Sequence, residues 1–205
     1  MTQMNTRITP KNKGTKQLFQ NGLLEKLTRT HAAVPITLFI IIGIGLLSYG
    51  IYQQLITVVP ALMLFLAGLL SFTLIEYLVH RFVFHMEPDT SLKKDIAYKF
   101  HGVHHEYPKD KSRLAMPPVL SILLSSILFL AFLYIMGNIA YGFFPGFIVG
   151  YAAYLIVHYI VHAYRPPKNF FRILWVHHGI HHYKRNDKAF GVSSPLWDYI
   201  FRSMP

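Results

Sequence analysis

Residues 58–85 read VVPALMLFLAGLLSFTLIEYLVHRFVFH, an apolar run with no Asp, Lys or Arg before Arg81 and with histidines at its end, His80 and His85. At 1.5 Å per helical residue, Val58–Val79 is long enough to cross a hydrocarbon core of roughly 30 Å. Three further stretches have the same character: Val34–Ile56, Val119–Met136 and Tyr141–Val161. The third in chain order, Val119–Met136, is short and needs a tilt or a locally thinned bilayer. Short uncharged turns, around Gln53–Pro60 and Gly137–Gly142, join the first stretch to the second and the third to the fourth. The expected fold is therefore all-α and integral to the membrane, with four transmembrane helices in two hairpins. No internal repeat or low-complexity segment interrupts this plan.

Charge follows the same plan. Residues 1–31 hold six Lys/Arg, residues 81–118 hold seven and residues 163–205 hold seven, which accounts for all 20. By the positive-inside rule the amino terminus, the central loop and the carboxyl tail face the cytoplasm. A formal net charge of +11 would suggest a nucleic-acid ligand in a soluble chain. Here topology explains it, and no nucleic-acid partner is expected. Hydrophobic residues form 53% of the 205, with mean hydropathy +0.34. Cysteine is absent, which excludes disulfides, thiolate zinc, iron–sulfur clusters and blue copper. The first residues, MTQMNTRITPKNKGTKQ, lack the apolar core and cleavage site of a signal peptide. The domain reading is a basic cytoplasmic segment over 1–31, then one membrane-embedded catalytic unit over 32–205.

Eleven of the 12 histidines fall in four clusters at or beyond the cytoplasmic ends of these spans. They are His80 and His85; His101, His104 and His105; His158 and His162; and His177, His178, His181 and His182. Imidazole suits iron, zinc, copper and nickel, and eleven rings far exceed one tetrahedral zinc. Two metals are expected. His158 and His162 are four apart, so on a helix they share a face, and His101 with His104 or His105, and His178 with His181 or His182, repeat that geometry. His80 and His85, five apart, diverge by about 140° on an ideal helix, so one should lie past its end. Glu76, one turn before His80, is placed to hydrogen-bond it. His31 reads as an interfacial residue, and titrating surface charge or lipid contact explains four spaced clusters poorly.

The residues around the histidines resemble the fatty acid 2-hydroxylases, within the wider fatty acid hydroxylase/sterol desaturase superfamily of membrane di-iron enzymes. Glu76-Tyr77-Leu78-Val79-His80-Arg81-Phe82-Val83-Phe84-His85-Met86-Glu87-Pro88 is similar to the family's first signature. His101-Gly102-Val103-His104-His105, with Pro108, Asp110, Arg113-Leu114 and Pro117-Pro118, is similar to the second. Tyr154, His158, Tyr159 and His162 resemble the third. His178-Gly179-Ile180-His181-His182, then Gly191, Ser193 and Trp197-Asp198-Tyr199, resemble the fourth. The resemblance runs over residues 70–205. It implies metal ligation by His80, His85, His101, His104, His105, His158, His162, His178, His181 and His182. Glu76, Tyr154, Tyr159 and His177 are candidates for outer partners or substrate contacts, His177 being the weaker ligand candidate. Leu155 stands where the 2-hydroxylases commonly have Asp.

The activity implied is dioxygen-dependent monooxygenation at C2 of a fatty acyl chain, free or amide-linked as in a sphingolipid. Its cofactor would be two iron ions, with zinc able to occupy the same ligands during purification, and no catalytic side chain is expected beyond that centre. No haem-binding His-Pro-Gly-Gly segment occurs in these residues, so a separate cytochrome b5-like or ferredoxin-like electron donor is expected. The site would face the cytoplasm at a bacterial inner membrane or the endoplasmic reticulum. A carotenoid or sterol oxidase of the same superfamily is the nearest alternative. A histidine-rich metal carrier fits less well, because transport needs polar groups at membrane depth. A zinc hydrolase would need a motif such as His-Glu-x-x-His, which is missing.

Overall fold

The computed structural model describes residues 8–205; residues 1–7, the start of the expected basic segment, lie outside the described residues. Regular structure among the described residues is helical throughout, without strands. A short α1 (Gly22–Leu27) starts on the Asn21 side chain, which accepts from the Leu23 and Leu24 amides. The long helices α2 (Ala33–Tyr52) and α3 (Val58–Leu78) follow. Then come α4 (Ser91–Ala97), α5 (Val103–Glu106), α6 (Pro118–Met136), α7 (Ala140–Ala163), α8 (Arg172–Tyr183) and α9 (Leu196–Ile200).

Three helical stretches are long and apolar enough to cross a membrane: Ala33–Tyr52, Val58–Phe84 and Lys111–Ala163. The sequence suggested four, and the third stretch contains the last two of them. It is broken at the turn Gly137–Ile139, where Gly137 takes φ +59, a left-handed conformation that costs glycine little. Beyond the turn α7 runs back along α6, with Phe129 against Phe144 (5.0 Å between ring centres) and Phe132 against Phe143 (5.3 Å).

Helix α7 is the centre of the bundle and packs chiefly on α3 and α2. Gly68 on α3 and Gly146 on α7 allow this approach. A Cβ on Gly68 would lie 2.0 Å from the Phe143 carbonyl, and one on Gly146 would lie 1.9 Å from that of Phe65. Small residues that let backbones nearly touch are the usual means of helix association in lipid, where dispersion replaces the hydrophobic effect. Phe39, Phe72, Phe144, Phe147 and Ile148 fill the interior, while Leu66, Leu70 and Leu130 face outward.

A cap of short helices covers one end of the bundle. The described part of the amino-terminal segment belongs to this cap. The Lys11 amide donates to the Glu106 carbonyl (2.6 Å) and the Thr30 amide to that of Ser112 (2.9 Å). Arg113, almost fully buried, pairs with Glu25 at 2.5 Å. These contacts tie α1 to the loop before α6, at the end of the bundle where the histidines lie.

Candidate metal centre

Two π-helical turns shape the site. Helix α3 continues into a π turn over Val79–Phe84, and α4 into another over Tyr98–Gly102. In the first, the His85 amide donates to the His80 carbonyl (3.2 Å), five residues back. The wider turn brings positions five apart onto one side, so His80 and His85 converge instead of diverging as an α-helix would require. Their ring centres are 5.1 Å apart. Such turns arise where an extra residue is accommodated in a helix, often at functional sites.

The ten histidines divide into two groups of five. His80, His85, His101, His105 and His181 form the first; His104, His158, His162, His178 and His182 form the second. Within each group the five candidate ligand nitrogens all lie within 4.8 Å of one another. The pairs four apart stay together: His101 with His105, His158 with His162, His178 with His182. The odd members cross over, His181 joining the first group and His104 the second. The groups adjoin, with the His105 and His182 rings stacked at 4.2 Å.

The nitrogens fit a metal. In the first group Nε2 of His101 lies 3.0 Å from Nε2 of His80 and of His105, and Nε2 of His85 lies 3.0 Å from that of His181. In the second, Nε2 of His104 and His158 are 2.9 Å apart, of His162 and His178 2.8 Å, and of His178 and His182 3.1 Å. Two nitrogens bound at roughly 2.1 Å and at right angles to each other would be about 3.0 Å apart, against about 3.4 Å in a tetrahedron. Five ligands per group agree with that higher coordination. His80 donates Nδ1–H to the Phe190 carbonyl, and His158 donates its own to that of Leu114 (3.0 Å). Their Nε2 atoms therefore carry bare lone pairs aimed at other imidazole nitrogens, an arrangement that a cation relieves.

Protonation agrees. Burial holds His101, His105 and His181 of the first group, and His104, His178 and His182 of the second, well below the ordinary histidine value, with neighbouring imidazoles adding to the effect. Burial likewise pushes His85 down to about 3. Neutral imidazole at physiological pH is the ligating form.

The groups are oriented differently. His80 and His181 of the first group both donate Nδ1–H to the carboxyl tail, His80 to the Phe190 carbonyl and His181 to the Lys188 carbonyl (2.7 Å). Ala189, between these two carbonyls, is fully buried with φ +59. A left-handed Ala costs about 1 kcal/mol and persists only where its surroundings impose it. In the second group, Nδ1 of His104, His178 and His182 is buried without a hydrogen-bond partner among the described residues.

Two carboxylates secure that tail. Asp198, fully buried, accepts from the Phe190 amide (2.9 Å), the Gly191 amide (2.7 Å), the Ser203 hydroxyl (2.8 Å) and Nε2 of His177 (2.9 Å). Burial pushes its pKa up, but these donors outweigh it and hold the carboxyl below its ordinary range. Glu76 accepts from the Val192 amide (2.7 Å), the Ser193 amide (3.0 Å) and the Ser193 hydroxyl.

The geometry corrects two expectations, a ligand role for His177 and a Glu76 bond to His80. His177 joins neither group, because its Nε2 is committed to Asp198. Glu76 does not bond His80; it grips the tail two residues beyond the carbonyl that does. Tyr159 points away, with its hydroxyl 3.4 Å from Nε2 of His31. Tyr154 is stacked on His158 at 5.4 Å between ring centres. Sequence reasoning did not single out the carbonyls of Lys188 and Phe190, which leave no side-chain signal. Asp198 left one, as a lone acid in the apolar run Leu196-Trp197-Asp198-Tyr199-Ile200.

Two cavities reach the groups. One of about 230 Å³ lies between the long helices, walled by Phe72, Phe147, Ile148 and Leu128 and ending at His80. The other, about 290 Å³, lies under the cap and touches His101, His104 and His158, with Phe19 and Phe100 in its wall. Both are bounded by Phe84, Met116, Tyr151 and Tyr154.

Residues 65–203 match the fatty acid hydroxylase family, a span that contains all ten histidines. The chain belongs to the fatty acid hydroxylase family. Among family members, it is 35% identical over 195 residues to the ceramide very long chain fatty acid hydroxylase scs7 of Schizosaccharomyces pombe, covering 92% of this chain and 54% of that one. With the dihydroceramide fatty acyl 2-hydroxylase FAH2 of Arabidopsis thaliana it shares 34% over 192 residues, covering 92% and 80%. With human fatty acid 2-hydroxylase it shares 39% over 145 residues, covering 69% and 39%. The chain thus spans about half the length of the first of these relatives. The solved structure of the scs7p hydroxylase domain superposes with a TM-score of 0.86 at 33% identity, covering 94% of this chain and 73% of that one.

Proposed function

We propose that this hydroxylase family member is a membrane monooxygenase that places a hydroxyl on C2 of a fatty acyl chain, free or amide-linked as in a sphingolipid. The observation that carries this reading is the pair of adjoining five-histidine groups at the end of an apolar cavity. All ten of those histidines would be ligands. The relatives' names, fatty acyl and ceramide hydroxylases, supply the substrate class.

Two irons held by the groups would supply dioxygen activation, which no side chain provides. The overall reaction joins R–H, O₂, two electrons and two protons into R–OH and H₂O. The chain's own residues do the rest. Phe72, Phe147 and Ile148 line a dry slot for the acyl chain, which excludes water from the reacting carbon. Chain length would enter that cavity while the polar end of the lipid lies under the cap, and this fixes which carbon meets the histidine groups. Tyr154, stacked on His158 and facing both cavities, separates the apolar from the cap side. Burial keeps the imidazoles neutral and leaves their Nε2 lone pairs for the metals.

In the membrane, the reading is four spans: α2, the stretch from α3 through Phe84, α6 and α7. Both termini and the cap face the cytoplasm, as the confinement of Lys and Arg to that end supports. The 53-residue third stretch is far longer than one crossing requires, and its break at Gly137 supports two antiparallel passes. A separate one-electron carrier, cytochrome b5-like or ferredoxin-like, would deliver electrons at the cap.

Expression in cells lacking 2-hydroxylated lipids, followed by lipid extraction and mass spectrometry, tests the reading. A new acyl species 16 Da heavier, with the hydroxyl located at C2 by fragmentation, is expected. Unchanged acyl chains alongside oxidised sterols or carotenoids would overturn it.

A further inference from the structure

The segment Lys188–Ser193 serves the first histidine group alone. Its Lys188 and Phe190 carbonyls take the Nδ1–H of His181 and His80, two members of that group from opposite ends of the sequence. Among the described residues no carbonyl of the tail bonds a ring of the second group, and the Leu114 carbonyl that takes the Nδ1–H of His158 comes from the loop before α6. Ala189, between the two residues that supply these carbonyls, is left-handed.

That conformation is held from several sides. The Ala189 amide donates to the Ser203 carbonyl (2.9 Å), and Asp198 takes the amides of Phe190 and Gly191. Glu76 takes those of Val192 and Ser193. Asp198 is itself fixed by His177 and by Ser203, whose hydroxyl also meets that of Tyr77 on α3 (2.7 Å). Every link in this set is buried or nearly so.

We propose that Asp198, braced by His177, is a positioning residue that aims the Lys188 and Phe190 carbonyls at His181 and His80 and thereby builds the first metal site selectively. This rests on the reading of the two groups as metal sites. His177 then has a role without being a ligand. Buried partners behind metal-bound histidines typically contribute 10- to 100-fold to metal affinity.

The test is metal content per chain, by inductively coupled plasma mass spectrometry, of the detergent-solubilised protein. The unaltered protein should hold two transition-metal ions. Asp198→Asn, which turns an NH2 group toward the two donors that one carboxylate oxygen serves, should lower the affinity of the first site about 10- to 100-fold and leave one ion per chain. That ion should vanish when His178→Ala is added and persist when His105→Ala is added. Gly191→Ala approaches the same segment differently: its Cβ would fall 2.3 Å from the Ser194 carbonyl and 3.0 Å from the Asp198 carboxylate, so the loop must move. It should give the same single ion, and an ion retained by the second site shows that either variant has folded. Trp197→Phe, which removes a hydrogen bond to Thr73 next door, should keep two. If the unaltered protein holds two ions and both clamp variants also hold two, or lose both together, the positioning role is overturned while the metal reading stands. An unaltered protein without two ions overturns the metal reading itself.

Discussion

The two histidine groups contain the same number of the same side chain, yet they are assembled from different materials. The second takes four of its five members as regular pairs, His158 with His162 on α7 and His178 with His182 on α8. The first needs a π turn to bring His85 toward His80, and two carbonyls from a strained tail to orient His80 and His181. One site rests on helix periodicity; the other rests on a departure from it and on a tail that reaches His80 from 110 residues away in sequence. The second should therefore tolerate changes in the tail, and the first should register them.

The largest effects should be equal for both groups. His105→Ala and His182→Ala remove a ligand from the first and second group respectively. Each should lower product formation at least about 1,000-fold, since a two-metal reaction fails when either ion is misplaced. Product quantified by mass spectrometry checks this; turnover near the normal level in either variant would break the pairing of the groups.

Removing the metals should produce the next effect. In the metal-free protein burial holds the imidazoles, His85 and His105 among them, below the ordinary histidine range. The unfolded chain then binds more protons than the folded one as pH falls. Stability is fully present above about pH 6.5 and is lost below it, toward the depressed values. Thermal unfolding of chelator-stripped protein should show the midpoint dropping between pH 7 and pH 5, and much less in the metal-loaded protein. A flat profile would contradict the neutral cage.

A smaller effect sharpens the contrast between the groups. Glu76→Gln keeps an oxygen for the Val192 and Ser193 amides but loses the second acceptor used by the Ser193 hydroxyl. A cost of about 1 to 2 kcal/mol is expected, with weaker binding at the first site only. The smallest effects belong to Tyr159→Phe and His31→Ala, which touch each other and neither group. Metal content and activity should remain within about twofold of normal, as for a contact outside the site.

Much of this architecture can be read in the sequence. The hydropathy of Val58–Val79 gives α3 to within one residue, and the pairs four apart in His158–His162 and His178–His182 announce shared helix faces. What could not be read depends on departures from regular geometry. The extra residue in the turn between His80 and His85 has no side-chain signature. His104 and His181 cross between groups because of how α5 and α8 pack, which spacing alone does not encode. The carbonyls that orient His80 and His181 belong to residues chosen for other reasons. His177 looked like a spare ligand because its partner, Asp198, lies 21 residues away and meets it only through the fold.

The most direct test of two separate metal sites is an anomalous-difference map from crystals of the purified protein, collected at the absorption edge of its bound metal. Two peaks are predicted, one among Nε2 of His80, His85, His101, His105 and His181, the other among Nε2 of His104, His158, His162, His178 and His182. A single peak shared by both groups, or a peak at His177, would contradict the account.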